Sequence, residues 1–167
     1  MVKRNNSMSP ERARLERHLA SEAATLALGA ALGRLLEPGA VVLLMGRLGA
    51  GKTVLARGLA SGLGVSADYA IVSPTFTLLN QYPGRVEFFH ADLYRLAGGE
   101  AEELELLEEA AAGVLAVEWA ERAPELWPPW AIGVELIDRG EGARQALISG
   151  PADIIGNLRK ALGREEN

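Results

Sequence analysis

Val41-Val42-Leu43-Leu44-Met45 runs straight into Gly46-Arg47-Leu48-Gly49-Ala50-Gly51-Lys52-Thr53. Five apolar residues in an unbroken run fit a strand buried on both faces, as in a parallel sheet covered by helices. The eight residues after it satisfy G-x-x-x-x-G-K-[ST]. Leu55, Leu59 and Leu63 then recur at helical spacing and stop near Gly64. Strand, glycine loop and helix in that order make a phosphate cradle. Glycines let the backbone curl so that successive N–H groups face one point. The helix that starts there adds the positive end of its dipole. Gly46, Leu48, Gly49, Ala50, Gly51, Lys52 and Thr53 are the expected cradle, with Lys52 as a flexible charge on β- and γ-phosphates and the Thr53 hydroxyl as a magnesium ligand.

Working outward, Ala13 to Leu19 alternates loosely, as a first strand does. Ser21 is placed to cap a helix whose Leu28, Ala31, Leu32 and Leu35 share one face, and Glu37-Pro38-Gly39 ends it. Beyond the loop helix, Thr77 to Gln81 and Val86 to His90 flank Tyr82-Pro83-Gly84-Arg85, a hairpin signal that makes the sheet mixed. Glu100 to Ala111 is acidic and Leu-rich and reads as a surface helix. Val114 to Val117 reads as a short buried strand ending at Glu118. Strands at Ala131 to Asp138 and Gln145 to Ser149, then an amphipathic helix from Asp153 to Leu162, complete the pattern. The expectation is a single α/β domain over residues 13–163, a P-loop NTPase fold with a mixed sheet and helices on both faces, preceded by a tail over residues 1–12.

The chain has 167 residues, 49% of them apolar and 23% charged, which suits one domain with a core and argues against disorder. The net charge of −5 makes it a poor direct partner for phosphate backbones. Its 17 basic residues are scattered, and the Arg12, Arg14, Arg17 cluster sits among Glu11 and Glu16. Absence of cysteine excludes disulfides, zinc–thiolate sites and thiol catalysis. No apolar run approaches the roughly 20 residues of a membrane span, and the basic start has no apolar stretch behind it. A cytoplasmic address follows by elimination.

Asp92 and Glu118 follow strand-like runs. Ligands of open α/β sheets sit beyond the carboxyl ends of strands, where a carboxylate holds a metal, holds its water or orients the attacking water. Read alone, either residue is equally a solvated strand end. Ser73-Pro74-Thr75-Phe76-Thr77 lies where switch segments of P-loop proteins supply a threonine, and it also reads as a turn with capping hydroxyls. His90 reads as a packed, hydrogen-bonded residue of an apolar strand. Trp119 reads as core filler beside Glu118, and Trp127 and Trp130 as loop pins around two prolines.

Together the glycine loop, Ser73-Pro74-Thr75-Phe76-Thr77-Leu78, His90-Ala91-Asp92-Leu93-Tyr94-Arg95-Leu96 and Glu118-Trp119-Ala120-Glu121 resemble the bacterial TsaE (YjeE) proteins, with order and spacing matched from about Ser21 to Trp127. The resemblance implies a magnesium-dependent ATPase required to form threonylcarbamoyladenosine beside the tRNA anticodon. It would act with a TsaB–TsaD complex and meet tRNA only indirectly, the isolated chain being a monomer. It implies Lys52 and Thr53 on phosphate and metal, Glu118 at the magnesium, Asp92 in metal or water positioning, and Thr75, Trp119 and Glu22 near the nucleotide. Arg47 departs from the family, whose loops usually carry an acidic residue after the first glycine. The alternative is a small-molecule kinase of the P-loop class; Arg139 and Arg144 fall in a stretch that reads as a β-turn, without the helical lid such a kinase needs. A GTPase is disfavoured because no Asn is followed by Lys, so N-K-x-D is missing. A nucleotide-dependent adaptor shades into the leading reading.

Overall fold

The computed structural model describes residues 9–96, 100–102 and 105–163. One sheet of seven strands runs through it: β1 (Arg12–Leu19), β2 (Val41–Met45), β3 (Leu79–Tyr82), β4 (Phe88–Asp92), β5 (Val114–Glu118), β6 (Ile132–Gly140) and β7 (Ala143–Pro151). Their order is β1-β7-β6-β2-β5-β4-β3. The centre, β6-β2-β5-β4, is parallel, and β1, β7 and β3 pair antiparallel with their neighbours. The sheet is mixed, as the hairpin signal predicts.

Strand alternation divides the core. Val42, Leu44, Phe88, Val114, Ala116, Ile132 and Val134 face α1 (Glu22–Leu35), α2 (Lys52–Gly62) and α4 (Ala152–Gly163). Val41, Phe89, Ala91, Leu115 and Val117 face a thinner layer made by α3 (Leu106–Glu109) and the 3₁₀ turns Ala120–Arg122 and Pro124–Leu126. Among the described residues the long helices thus share one face, and only short ones lie on the other. Ser21 caps α1 as expected, its side chain accepting the Ala24 N–H at 3.1 Å. The α1–α2 seam is built on glycine: a Cβ at Gly29 would lie 2.5 Å from Leu55 O, and one at Gly33 2.5 Å from Leu59 O.

Three expectations shift. The tail expected over residues 1–12 falls on residues 1–8, which lie outside the described residues, and on four described ones of which Arg12 already belongs to β1. Arg12 donates to Pro129 O at 2.8 Å and Ala131 O at 3.0 Å, which anchors the strand one residue earlier than the pattern indicates. The β3–β4 hairpin lies further along the chain: β3 starts two residues later than expected and ends one later, at Tyr82, where Pro83 has no N–H to continue the ladder, and β4 is displaced by two. The helix expected over 100–111 is a single turn, Leu106–Glu109, preceded by Glu105 in the left-handed region at φ 47°; residues 103–104 lie outside the described residues. Ala101, Leu106 and Ala110 are nonetheless its buried side. Among the described residues no helix is long and apolar enough to cross a membrane.

Candidate phosphate-binding site

Parallel register brings the carboxyl ends of three strands to one edge. Leu44 of β2 pairs with Glu118 of β5, and Glu118 pairs with Asp92 of β4. Alternation puts Glu118 on the face of Val114 and Ala116, and Asp92 on the face of Phe88 and His90, so both carboxylates point to the α2 side. Sequence spacing marks these residues; register joins them.

The loop leaves β2 at Gly46, φ 139°, where a Cβ would lie 2.6 Å from Leu136 O; no other residue fits. The Arg47–Ala50 turn is closed by Ala50 N–H on Arg47 O at 3.0 Å. Leu48 projects into solvent at the apex, so it offers its backbone and not its side chain. Gly51 at φ 106° turns the chain into α2, whose first residue is Lys52.

Lys52 is 5% exposed. Its Nζ donates to Gly46 O at 2.6 Å and Arg47 O at 2.8 Å, and lies 4.0 Å from the centre of the Trp119 ring. Burial pulls the Lys52 ammonium below the usual lysine range, opposed by the negative charges of Glu118, Glu121 and Asp92. Thr53 Oγ1 donates to Glu118 Oε1 at 2.9 Å, and His90 Nε2 lies 2.9 Å from Glu118 Oε2. Burial pushes the Glu118 carboxyl up, but His90, Thr53 and Ser73 together outweigh it and hold the group below the usual glutamate range. An ionised carboxylate only accepts, so Nε2 of His90 is the donor. The imidazole is fully buried, stacks on Phe88 at 5.9 Å, and leaves Nδ1 without a partner.

Asp92 accepts the Ser73 hydroxyl on Oδ2 and the Tyr94 N–H on Oδ1 at 2.8 Å. Thr75 reaches this group only through Ser73, Oγ1 to Oγ at 3.4 Å. Trp119, in the left-handed region at φ 60°, stacks on Tyr94 at 4.9 Å and on Lys52. Glu22 stands exposed in the first turn of α1, one turn ahead of Thr25, whose Cγ2 would lie 3.9 Å from a Cβ at Gly51. The structure therefore gathers Lys52, Thr53, Asp92, Glu118 and Trp119 at the loop, with Thr75 one hydroxyl away; Glu22, exposed at the start of α1, is not among the side chains brought into contact there. Thr53, Glu118 and Asp92 offer hard oxygens, the donor type magnesium takes.

Three further side chains take part that the sequence does not mark as site residues. His90 is packed and hydrogen-bonded as expected, but its partner is Glu118. Ser73 is the direct partner of Asp92, and its signal was its place in the S-P-T segment. Arg144 donates to Ala50 O and Gly49 O from 94 and 95 residues away, and no spacing rule reaches so far. Trp127 and Trp130 do pin backbone, on Ala120 O at 2.8 Å and Gly39 O at 3.3 Å.

A parallel central sheet with a glycine loop between its middle strand and a helix, and strand-end carboxylates beside it, defines a P-loop α/β protein. A family model described as threonylcarbamoyl adenosine biosynthesis protein TsaE matches residues 19–146. A Nostoc protein named tRNA threonylcarbamoyladenosine biosynthesis protein TsaE is 47% identical over 137 residues, spanning 78% of this chain and 83% of that protein. Proteins of the same name from Treponema pallidum and Bacillus subtilis are 41% and 35% identical, spanning 72% and 78% of this chain and 90% and 82% of theirs. The crystal structure of Bacillus subtilis YdiB superposes with a TM-score of 0.74 at 28% identity, covering 94% of this chain and 99% of that one. The chain belongs to the TsaE family.

Proposed function

We propose that this protein binds ATP and magnesium on its glycine loop and hydrolyses ATP as a component required to form threonylcarbamoyladenosine in tRNA. The observation that carries the reading is the Thr53–Glu118 contact at 2.9 Å, which joins the loop's metal-ligating hydroxyl to a strand-end carboxylate. A family membership alone leaves the chemistry open; this contact gives it residues.

In this reading the loop amides and Lys52 hold the phosphates, with Lys52 exchanging its bonds to Gly46 O and Arg47 O for phosphate oxygens. Thr53, Glu118 and Asp92 hold magnesium, which neutralises charge on the phosphates when bound. Asp92 also places water, and Ser73 and Thr75 link it to the 73–77 segment, which the γ-phosphate orders. Trp119 lies beside the phosphates through its contact with Lys52, and Glu22 lies near the nucleotide at the start of α1. His90 fixes the Glu118 carboxylate by its second oxygen.

The protein acts with a TsaB–TsaD pair in the cytoplasm, is a monomer alone, and reaches tRNA through that pair. A net charge of −5 without a basic stripe supports the indirect contact. The deciding experiment measures ATP hydrolysis with and without magnesium and with and without the pair, alongside a titration of labelled tRNA. Magnesium-dependent turnover stimulated by the pair is the expected result. Turnover indifferent to magnesium, or tight salt-sensitive tRNA binding by the chain alone with no association with the pair, would overturn it.

A further inference from the structure

The β6–β7 hairpin reaches the phosphate loop through one side chain. Arg144 donates Nε–H to Ala50 O at 2.6 Å and Nη2–H to Gly49 O at 3.1 Å. Its other edge is held on the hairpin itself, where Nη1 donates to Asp138 Oδ1 at 3.0 Å and Ala143 O at 2.9 Å. Arg144 and Asp138 stand opposite each other in the ladder. Asp138 Oδ1 also accepts the Gly140 N–H at 2.8 Å, beside the irregularity that precedes the turn. A rigid planar fork fixed at both edges has little freedom left.

What it grips decides its role. In a trans peptide the C=O and N–H point in opposite directions. Holding Ala50 O on the Arg144 side of the loop turns the Gly51 N–H to the opposite side. Holding Gly49 O leaves the Ala50 N–H to close the turn on Arg47 O, so that amide braces the loop from within. A phosphate loop works through inward N–H groups, and an inward carbonyl would repel the same oxygens. The guanidinium also lies against the last loop glycine, since a Cβ at Gly51 would be 3.5 Å from Nε.

We propose that Arg144 is a positioning residue for the phosphate loop: by holding the Ala50 carbonyl it keeps the Gly51 amide turned toward the phosphate site, by holding the Gly49 carbonyl it braces the Arg47–Ala50 turn, and through both it ties the loop's geometry to the β6–β7 hairpin. The inference rests on the reading that this loop holds a nucleotide's phosphates. Arg144 acts through the backbone of the loop and does not itself touch the ligand.

The test is calorimetric titration of ADP and magnesium into wild type, Lys52→Ala, Arg144→Ala and Arg144→Lys. Thermal melting without nucleotide and the ¹H–¹⁵N resonance of Gly51 are recorded for each. Arg144→Ala is expected to weaken ADP about tenfold, the scale of one lost charge-assisted hydrogen bond. Arg144→Lys, with one donor head in place of a fork, should recover part of that. The Gly51 resonance should move in both variants before any nucleotide is added, while those of Val42 and Ala116 in the sheet centre hold still. Wild-type affinity and an unmoved Gly51 resonance in Arg144→Ala, with Lys52→Ala impaired, overturns the inference and leaves the nucleotide reading intact. If wild type binds no ADP, the nucleotide reading fails and this inference falls with it. Should Arg144→Ala not fold, Arg144→Lys decides: weaker ADP with a displaced Gly51 resonance supports the proposal, and neither change defeats it.

Discussion

The α1–α2 seam and the carboxyl edge of the sheet are built on opposite principles. In the seam, two helices touch backbone to backbone across Gly29, Gly33, Gly58 and Gly62, with Leu28, Leu32, Leu55 and Leu59 fully buried around them. No charge is buried there. At the edge, Lys52, His90, Asp92 and Glu118 are all buried, and Trp119 and Leu78 hold positive φ without being glycine. Buried charge and a left-handed non-glycine residue each cost stability. A domain tolerates this when another region is packed without compromise. Stability and chemistry are therefore separable in this molecule, and substitutions should move one without the other.

The strongest break of that separation from the site side is Lys52→Ala. It removes the one loop cation aimed at β- and γ-phosphates, and ATP affinity should fall about 100-fold or more. Melting without nucleotide should change little, because relief from desolvating the ammonium is offset by the lost bonds to Gly46 O and Arg47 O. Nucleotide titration and circular dichroism measure the two halves; wild-type affinity would sink the loop's assignment.

Next in size are Asp92→Asn and Glu118→Gln. Loop amides and Lys52 remain, so nucleotide affinity should change by no more than about threefold, while hydrolysis falls about 10- to 100-fold. Steady-state turnover beside a binding titration separates these effects. Unchanged turnover in both variants returns the two residues to a structural role.

From the other side, Gly29→Ala sharpens the comparison. Alanine gains about 1 kcal/mol of helix propensity over glycine. The added Cβ would sit 2.5 Å from Leu55 O and 2.8 Å from Gly58 Cα, both backbone atoms that have no rotamer to swing away. Overpacking of that kind costs about 3 kcal/mol, so the net expectation is a loss of about 2 kcal/mol and a melting temperature lower by about 4–8 °C. ADP affinity at a temperature where the variant is folded should be unchanged. A stabilised variant would show that the seam opens freely.

Legibility in the sequence follows the same division. The loop, β2 and α2 could be read because each signal is local: an apolar run, a glycine pattern, leucines four apart. Asp92 and Glu118 could be placed at strand ends, yet their meeting depends on β4–β5 register, which nothing local sets. The His90–Glu118 contact joins residues 28 positions apart through that register, and the Lys52–Trp119 contact joins residues 67 positions apart through the β2–β5 register. The acidic helix misled because Leu and Glu spacing over 100–111 satisfies helical periodicity, while the backbone takes a left-handed residue at Glu105. The β6–β7 hairpin runs longer than its pattern predicts: its turn residues Glu141 and Gly142, at φ 54° and 81°, let the strands run on past Asp138.

The smallest expected effect tests whether the edge charges carry any stability of their own. Glu118 is pulled up by burial and held down more strongly by His90, Thr53 and Ser73, so its folded-state pKa lies below its unfolded one. For an acid shifted that way, the folded state binds fewer protons than the unfolded chain. Its contribution is complete above the ordinary glutamate value of about 4.3 and is lost as pH falls through that value toward the lowered one. Lys52 is also shifted down, but a lysine titrates at alkaline pH and leaves this window untouched. Glu118→Gln keeps the shape and removes the titration. Urea unfolding without nucleotide or metal, from pH 6 down to pH 3, should therefore show wild type losing more stability than the variant, with the two curves converging toward the acid end. Parallel curves would mean that the network around Glu118 stabilises the carboxylate no better than water does, and that these charges are kept for chemistry alone.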